Sequence, residues 1–472
     1  MNAWQPAVGL IRLCALLSLS AAGPAAAANF DWYRWRGPDL NGVSKEADWS
    51  ASWPSAGPKQ LWKAFVGTGF SAVSVANGRA YTMGNQSNSD FIYCLDCGTG
   101  REIWHHSYAA GLDGRLYEGG PNSTPTIDGH AVYTLGRKGE LFCLEADSGK
   151  VIWRKDLMKD FGLKEPGRDW WGFTGSPLVE GELLILNAGT HGMALEKKTG
   201  RPVWVTGQEA TGYASPVPFA FAGKRAVAIF AAKAVVALEV KTGRECWQFP
   251  WKTSWDINAA DPIVSGDELF VSSGYRTGGA LLRFGAGQRT VVWQGQQMHN
   301  QLNASVLIDG HLYGVSGQNG HGGDLRCVEW QTGKVKWEEP SIEFGSLMAA
   351  DGKLIVLSEK GELTIAPASP RRFQALARAQ VLGGKCWTVP VLSNGRIYCR
   401  NAQGDLVCLD VAGKAAQAAA RCGIGGGPVH GPNSRQIFEV FPSERGARNL
   451  TCRAPAAGSR SSLCLPLGPV DW

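Results

Sequence analysis

Cys94-Leu95-Asp96-Cys97-Gly98-Thr99-Gly100-Arg101-Glu102-Ile103-Trp104 is the stretch on which the fold turns. A small residue, an apolar residue and an acid lead into Thr-Gly. A base follows, and a Trp closes the pattern. The residues before the acid read as a strand. Thr/Ser-Gly reads as a hairpin turn, because Gly takes the positive φ that a bulged turn demands, and the acid can accept backbone N–H bonds across it. The next strand delivers Trp, whose ring can cover a large apolar area between neighbouring sheets. The pattern returns from Cys143 to Trp153, Ala194 to Trp204, Ala237 to Trp247 and Cys327 to Trp337, with a degraded copy ending at Trp293. Successive Trp spacings are 49, 51, 43, 46 and 44 residues, the period of a four-stranded unit repeated around an axis.

A second feature recurs between these copies. Ile127-Asp128-Gly129, Val179-Glu180-Gly181, Val264-Ser265-Gly266, Ile308-Asp309-Gly310 and Ala350-Asp351-Gly352 read as tight turns between alternating strands. Upstream lie Thr124-Pro125, Ser176-Pro177, Ser215-Pro216 and Asp261-Pro262, at the start of what read as the innermost strands, lining a central channel. Strand sets beginning near residues 70, 121, 172, 213, 258, 303, 345 and 386 give an all-β, eight-bladed β-propeller. The last set lacks a fourth strand. An orphan strand, Gln60-Leu61-Trp62-Lys63-Ala64-Phe65, is predicted to supply it and close the ring, which buries sheet edges that would otherwise be exposed. Trp62, Trp104, Trp153, Trp204, Trp247, Trp293 and Trp337 then hold equivalent, structural docking positions.

The pattern A/C-x-D/E-x-x-T/S-G-K/R-x-x-W resembles the tryptophan-docking motif of quinoprotein propellers, over about residues 30–413. Trp32-Tyr33-Arg34-Trp35-Arg36-Gly37-Pro38, followed by Asn41-Gly42-Val43-Ser44, is similar to the lead-in of PQQ-like repeat proteins. That family includes propeller subunits of the outer-membrane β-barrel assembly machinery. The resemblance implies the fold; it does not carry function with it.

Arg12, an apolar stretch from Leu13 to Ala22 and the small residues Ala26-Ala27-Ala28 read as a secretory signal over 1–28. The propeller is assigned to 29–414. Its mature location is expected to be periplasmic or secreted. Bulky Leu13 before Cys14 does not suit lipid attachment, and no apolar run is long enough for a transmembrane segment. Residues 415–472 form an atypical tail with six Arg, no Lys and three acids. Disorder is one reading of it; a shifted reading frame is another. The tail carries +3 and Arg12 +1, so about +2 of the net +6 remains on the body, which excludes an electrostatic footprint for nucleic acid.

Catalytic quinoproteins, which the chain resembles in fold, typically sandwich PQQ between a Trp and a disulfide of adjacent cysteines. They hold Ca²⁺ with Glu, Asn and Asp. No Cys-Cys pair and no Cys-x-x-Cys-His haem motif occurs here. Cys94-Leu95-Asp96-Cys97 reads as structural, because Cys94 shares its repeat position with Cys143, Cys327, Cys408, Ala194 and Ala237. The histidines show no zinc spacing. What remains is the channel mouth, where segments approaching the inner strands converge. Arg168, Asp169, Trp171, Asn258, Asp261, Asn303 and Lys385 are the ligand-binding candidates there; plugging the channel and satisfying buried backbone is the alternative. Asp261 could serve as a general base or as a turn residue. No catalytic or metal site is assigned. The expected function is a non-catalytic binding or scaffold module presenting its rigid ring to an envelope protein, peptide or glycan. The alternative is a PQQ-dependent oxidoreductase, with Ca²⁺, acting on an alcohol or sugar.

Overall fold

The small residue of the repeat sits directly opposite the tryptophan. In the computed structural model, Cα partners across the third and outer strands are Cys94 with Trp104, Cys143 with Trp153, Ala194 with Trp204, Ala237 with Trp247 and Cys327 with Trp337. One step later each pair slips register, so the Thr/Ser-Gly turn is closed by a bulge. Within the turn the acid does what its position predicts. Asp96 Oδ1 accepts from the Thr99 N–H and hydroxyl at 2.8 and 2.7 Å. Glu145, Glu196, Glu239 and Glu329 accept from Ser148, Thr199, Thr242 and Thr332.

The structure describes residues 29–413 apart from 113, 115–116, 167–170 and 286–288. The signal peptide assigned to 1–28 and the tail at 415–472 lie outside the described residues. Eight antiparallel sheets form the blades of a β-propeller. Blade 1 comprises Ser74–Ala76, Arg79–Gln86, Ser89–Asp96 and Glu102–Ala109. The inner strands of blades 2 to 8 are Thr126–Asp128, Leu178–Glu180, Val217–Phe221, Ile263–Ser265, Val306–Ile308, Ser346–Ala350 and Val391–Ser393. The outer strand of blade 8 is Lys59–Phe65. It pairs antiparallel with Asp405–Asp410 and sets Trp62 opposite Cys408, so the two ends of the repeat region share one sheet.

The core lies between blades. Tyr81 and Met83 of blade 1 pack with Val132, Phe142 and Leu144 of blade 2. The docking indoles cross the same seams. Trp62, Trp104, Trp153, Trp204, Trp293 and Trp337 donate their N–H to the carbonyls of Cys97, Ala146, Lys197, Val240, Trp330 and Ser369 in the next blade, at 2.7–3.0 Å. Trp247 differs: its N–H is buried without an acceptor, and its ring stacks on Phe284 at 5.7 Å. In four blades the second strand adds a Tyr against the Trp: Tyr81, Tyr133, Tyr313 and Tyr398, with ring centroids 5.9–6.1 Å apart.

The turn glycine has two reasons to be glycine. Gly149 has φ +70°, and a Cβ there would lie 2.5 Å from the Trp104 ring. Gly149→Ala is expected to cost about 2 kcal/mol, combining left-handed backbone strain with a displaced indole. Gly129→Ala is the control, because its φ is +58° but nothing lies within 4 Å of the added methyl; about 1 kcal/mol is expected there. Thermal melts of the two variants check the difference. Equal losses would show that the Trp104 contact imposes no requirement on the turn.

Candidate functional site

Two layers of residues precede each inner strand, and the ring geometry turns each layer into a circle. Two residues before the strand stand Ala72, Thr124, Ser176, Ser215 and Asp261 in blades 1 to 5. The Ala72 N–H donates to Thr124 Oγ1 at 3.1 Å, and the Thr124 N–H to Ser176 Oγ at 2.9 Å. The Ser176 N–H donates to Ser215 Oγ at 2.9 Å, and the Ser215 N–H to Asp261 Oδ1 at 2.7 Å. This collar satisfies buried backbone donors from blade to blade. It explains why a hydroxyl or carboxyl precedes proline at these strand starts.

Asp261 is therefore a structural acceptor. Its second oxygen accepts from the Trp35 indole N–H at 2.5 Å, and Arg36 Nε lies 3.9 Å away. Burial pushes its carboxyl up from the ordinary range, while Arg36 and the donated bonds pull the other way. Trp35 and Arg36 belong to the lead-in, which crosses the turn side of the inner strands. Trp32 and Tyr33 carbonyls accept from Val75 and Ile127 N–H, and Val43–Ser44 runs parallel to Ala349–Ala350. The Arg36 guanidinium donates to the carbonyls of Leu40, Asn41, Ala304 and Ser305. The lead-in thus covers that side of the inner strands and leaves the approach side as the open mouth.

Four residues before the strand stand Phe70, Asn122, Thr174, Tyr213, Ala259, Leu302 and Trp387, in blades 1 to 6 and 8. All seven line one cavity of about 860 Å³ of empty space, counted out to solvent. Trp35 and Asp261 line it from the lead-in side. Tyr117 and Trp171 stack at 4.4 Å, and Phe70 and Trp387 stack at 5.4 Å, giving an aromatic wall. Facing residues include Tyr275, which accepts from Gln301 Nε2 at 2.8 Å. The Tyr213 hydroxyl is buried and has no hydrogen-bond partner.

Of the sequence candidates, Trp171, Asp261 and Asn303 line this cavity. Asn303 donates to the Trp387 carbonyl at 2.9 Å. Asn258 is not a lining side chain. It is fully buried, donates to the Ala231 and Ala232 carbonyls and accepts from Ser273. Lys385 stands beside the site, paired with Glu118 at 2.9 Å and set 4.3 Å over the Trp387 ring. Arg168 and Asp169 lie outside the described residues. Phe70, Tyr117, Tyr213, Tyr275 and Gln301 were not among the candidates. The fixed offset from each inner strand is the signal that finds Phe70 and Tyr213; Tyr275 and Gln301 carry no repeat signal.

The described lining of the cavity does not fit a quinone with its cation. Asp261 is the one carboxylate among the described lining residues, and both its oxygens are already engaged. Among the described residues no three His, Cys, Asp or Glu side chains gather as metal ligands. The described cysteines are free, and burial pushes Cys94 and Cys97 up to about 12 and about 11, away from thiolate reactivity. No helix among the described residues is long and apolar enough to cross a membrane.

Known proteins agree with this architecture. The chain is 22% identical over 322 residues to the outer membrane protein assembly factor BamB of Yersinia pestis, covering 65% of this chain and 77% of that protein. Its counterpart in Moranella endobia (strain PCIT) is 21% identical over 335 residues, covering 66% and 80%. Among solved structures, BamB from Moraxella catarrhalis superposes with a TM-score of 0.55 at 19% identity, covering 75% of this chain and 98% of that one. Quinohemoprotein alcohol dehydrogenase from Comamonas testosteroni superposes at 0.58 with 13% identity, covering 87% and 82%. These likenesses show the propeller fold. The sequence model of the family described as outer membrane protein assembly factor BamB matches residues 88–339, more than half of the chain, and the chain belongs to that family.

Proposed function

We propose that this chain is a non-catalytic binding propeller of the cell envelope, exported to the periplasm, where its rigid ring holds an envelope protein during outer-membrane protein assembly. The family match over residues 88–339 carries this reading. The geometry supports it. Asp261, the one acid among the described lining residues, is committed to the collar and to Trp35, and a general base must be free to take a proton from substrate.

Two measurements test it. Adding PQQ and Ca²⁺ at about tens of micromolar to the purified chain is expected to leave its absorbance and melting temperature unchanged, since a ligand of the native state raises the melting point by mass action. A saturable spectral shift with a raised melting point would overturn the non-catalytic reading. Photo-crosslinkers placed one at a time on exposed outer-strand positions such as Ile103, Ile152 and Val203 are expected to capture a component or client of outer-membrane assembly in intact envelopes. Capture of metabolic enzymes instead would count against an assembly role.

A further inference from the structure

The mouth cavity joins two properties that together select a ligand chemistry. First, its described lining is almost free of charge. The described lining holds no Lys, Arg, His or Glu, and Asp261 is the only acid, buried beside Arg36. An anionic or cationic ligand would enter without a counter-charge. Second, aromatic faces stand beside short polar side chains. Phe70, Trp171 and Tyr275 are half-buried, and Asn122, Asn303 and Thr174 lie among them, offering both donors and acceptors.

We propose that the channel mouth is a binding site for a neutral saccharide, one or two pyranose rings of a glycan, with its C–H face against the Trp171–Tyr117 wall and its hydroxyls among Asn122, Thr174 and Asn303. A pyranose presents an apolar C–H face with hydroxyls around its edge, each both donor and acceptor. The lining has the same alternation of apolar faces and short polar side chains. A peptide strand is the competing occupant, and the structure argues against it. Strand addition needs free backbone groups on a sheet edge. Here the collar occupies the N–H groups of Ala72, Thr124, Ser176 and Ser215, and the lead-in takes those of Val75 and Ile127. Side chains rather than backbone are left to recognise the ligand. The inference rests on the propeller being a binding module rather than an enzyme. It does not depend on which protein partner the outer surface holds.

The test uses the full chain with maltose, cellobiose, chitobiose and N-acetyllactosamine as probes, at up to about 10 mM, the range expected for weak sugar binding. Saturation-transfer NMR and Trp emission report binding. At least one disaccharide is expected to bind, with saturation reaching its C–H protons. Trp171→Ala is expected to weaken that binding by about tenfold or more, through the lost stacking face. Failure of all four probes to bind would overturn the proposal. So would binding that Trp171→Ala leaves intact, or displacement of the sugar by an aromatic tripeptide of higher affinity. None of these failures would bear on the PQQ and crosslinking results.

Discussion

Arg400→Met is expected to lower the stability of the propeller by about 3–5 kcal/mol, the loss associated with breaking a buried charged network. Arg400 lies on the second strand of blade 8 and is 1% exposed. Its guanidinium donates to the Ser71 carbonyl at 2.7 Å, Thr82 Oγ1 at 2.9 Å, the Met83 carbonyl at 2.5 Å and the Gly67 carbonyl at 2.9 Å. Every acceptor belongs to blade 1 or to the chain leading into it. One side chain thus clasps the last blade to the first, at the seam the ring must close. Burial pushes the guanidinium down from its usual value, to about 9, with Tyr93 pulling the other way. Methionine matches much of the volume but donates nothing, so three buried carbonyls lose a donor. Each costs about 1–3 kcal/mol when left unsatisfied, and relaxation recovers part. Arg400→Lys is expected to fall between the two, since a point-like ammonium cannot span the same four acceptors. Urea unfolding followed by Trp emission measures both. A loss below about 1 kcal/mol for the methionine variant would mean that the Lys59–Phe65 strand alone carries closure.

Arg400 also marks the limit of what the sequence discloses. The docking repeat was legible because the same local chemistry is demanded in blade after blade. A small residue must oppose Trp, an acid must cap the turn, and glycine must hold a positive φ beneath an indole, as Gly100, Gly149 and Gly200 do. Repetition exposed those demands, and with them the place of Trp62. Arg400 meets a demand that exists once, at the seam, and a single Arg in a strand has no period. The lead-in is similar. Arg36 finds carbonyls at 304 and 305, and Trp35 finds Asp261, across the ring and not along the chain. The mouth was half legible. Its location followed from strand order, so Trp171, Asp261 and Asn303 fall on the cavity wall. Which side chains face inward depended on an offset of four residues before each strand, and that became visible only with strand ends fixed. Asn258, one residue before the lining Ala259, satisfies carbonyls between blades instead.

Asp261 separates a structural reading of this mouth from a catalytic one, because the two make opposite demands on the same substitution. A general base replaced by Asn leaves a folded protein with no turnover. A collar residue replaced by Ala or Asn leaves a protein less stable. Asp261→Ala strips the acceptors from the half-buried Trp35 indole and the buried Ser215 N–H, and removes the counter-charge from the buried Arg36. Removing one member of a buried ion pair costs about 3–5 kcal/mol, and two orphaned N–H groups add to the upper end. Asp261→Asn keeps one acceptor oxygen but turns an amide NH₂ toward the other donor, so about 2–4 kcal/mol is expected. The lead-in should loosen with it, seen as red-shifted Trp35 emission and faster proteolysis within residues 29–44. The decisive variant is the double replacement Asp261→Leu with Arg36→Met. If the pair is a buried strut, exchanging both charges avoids the stranded guanidinium; Arg36→Met also strips a donor from four carbonyls, so the double variant still loses stability, but by about 2 kcal/mol or more less than the sum of the Asp261→Leu and Arg36→Met losses. Additive losses in the double variant would show that Arg36 and Asp261 act independently. The lead-in would then be held by its backbone bonds to Val75, Ile127 and Ala349, and not by the charge pair beneath the cavity.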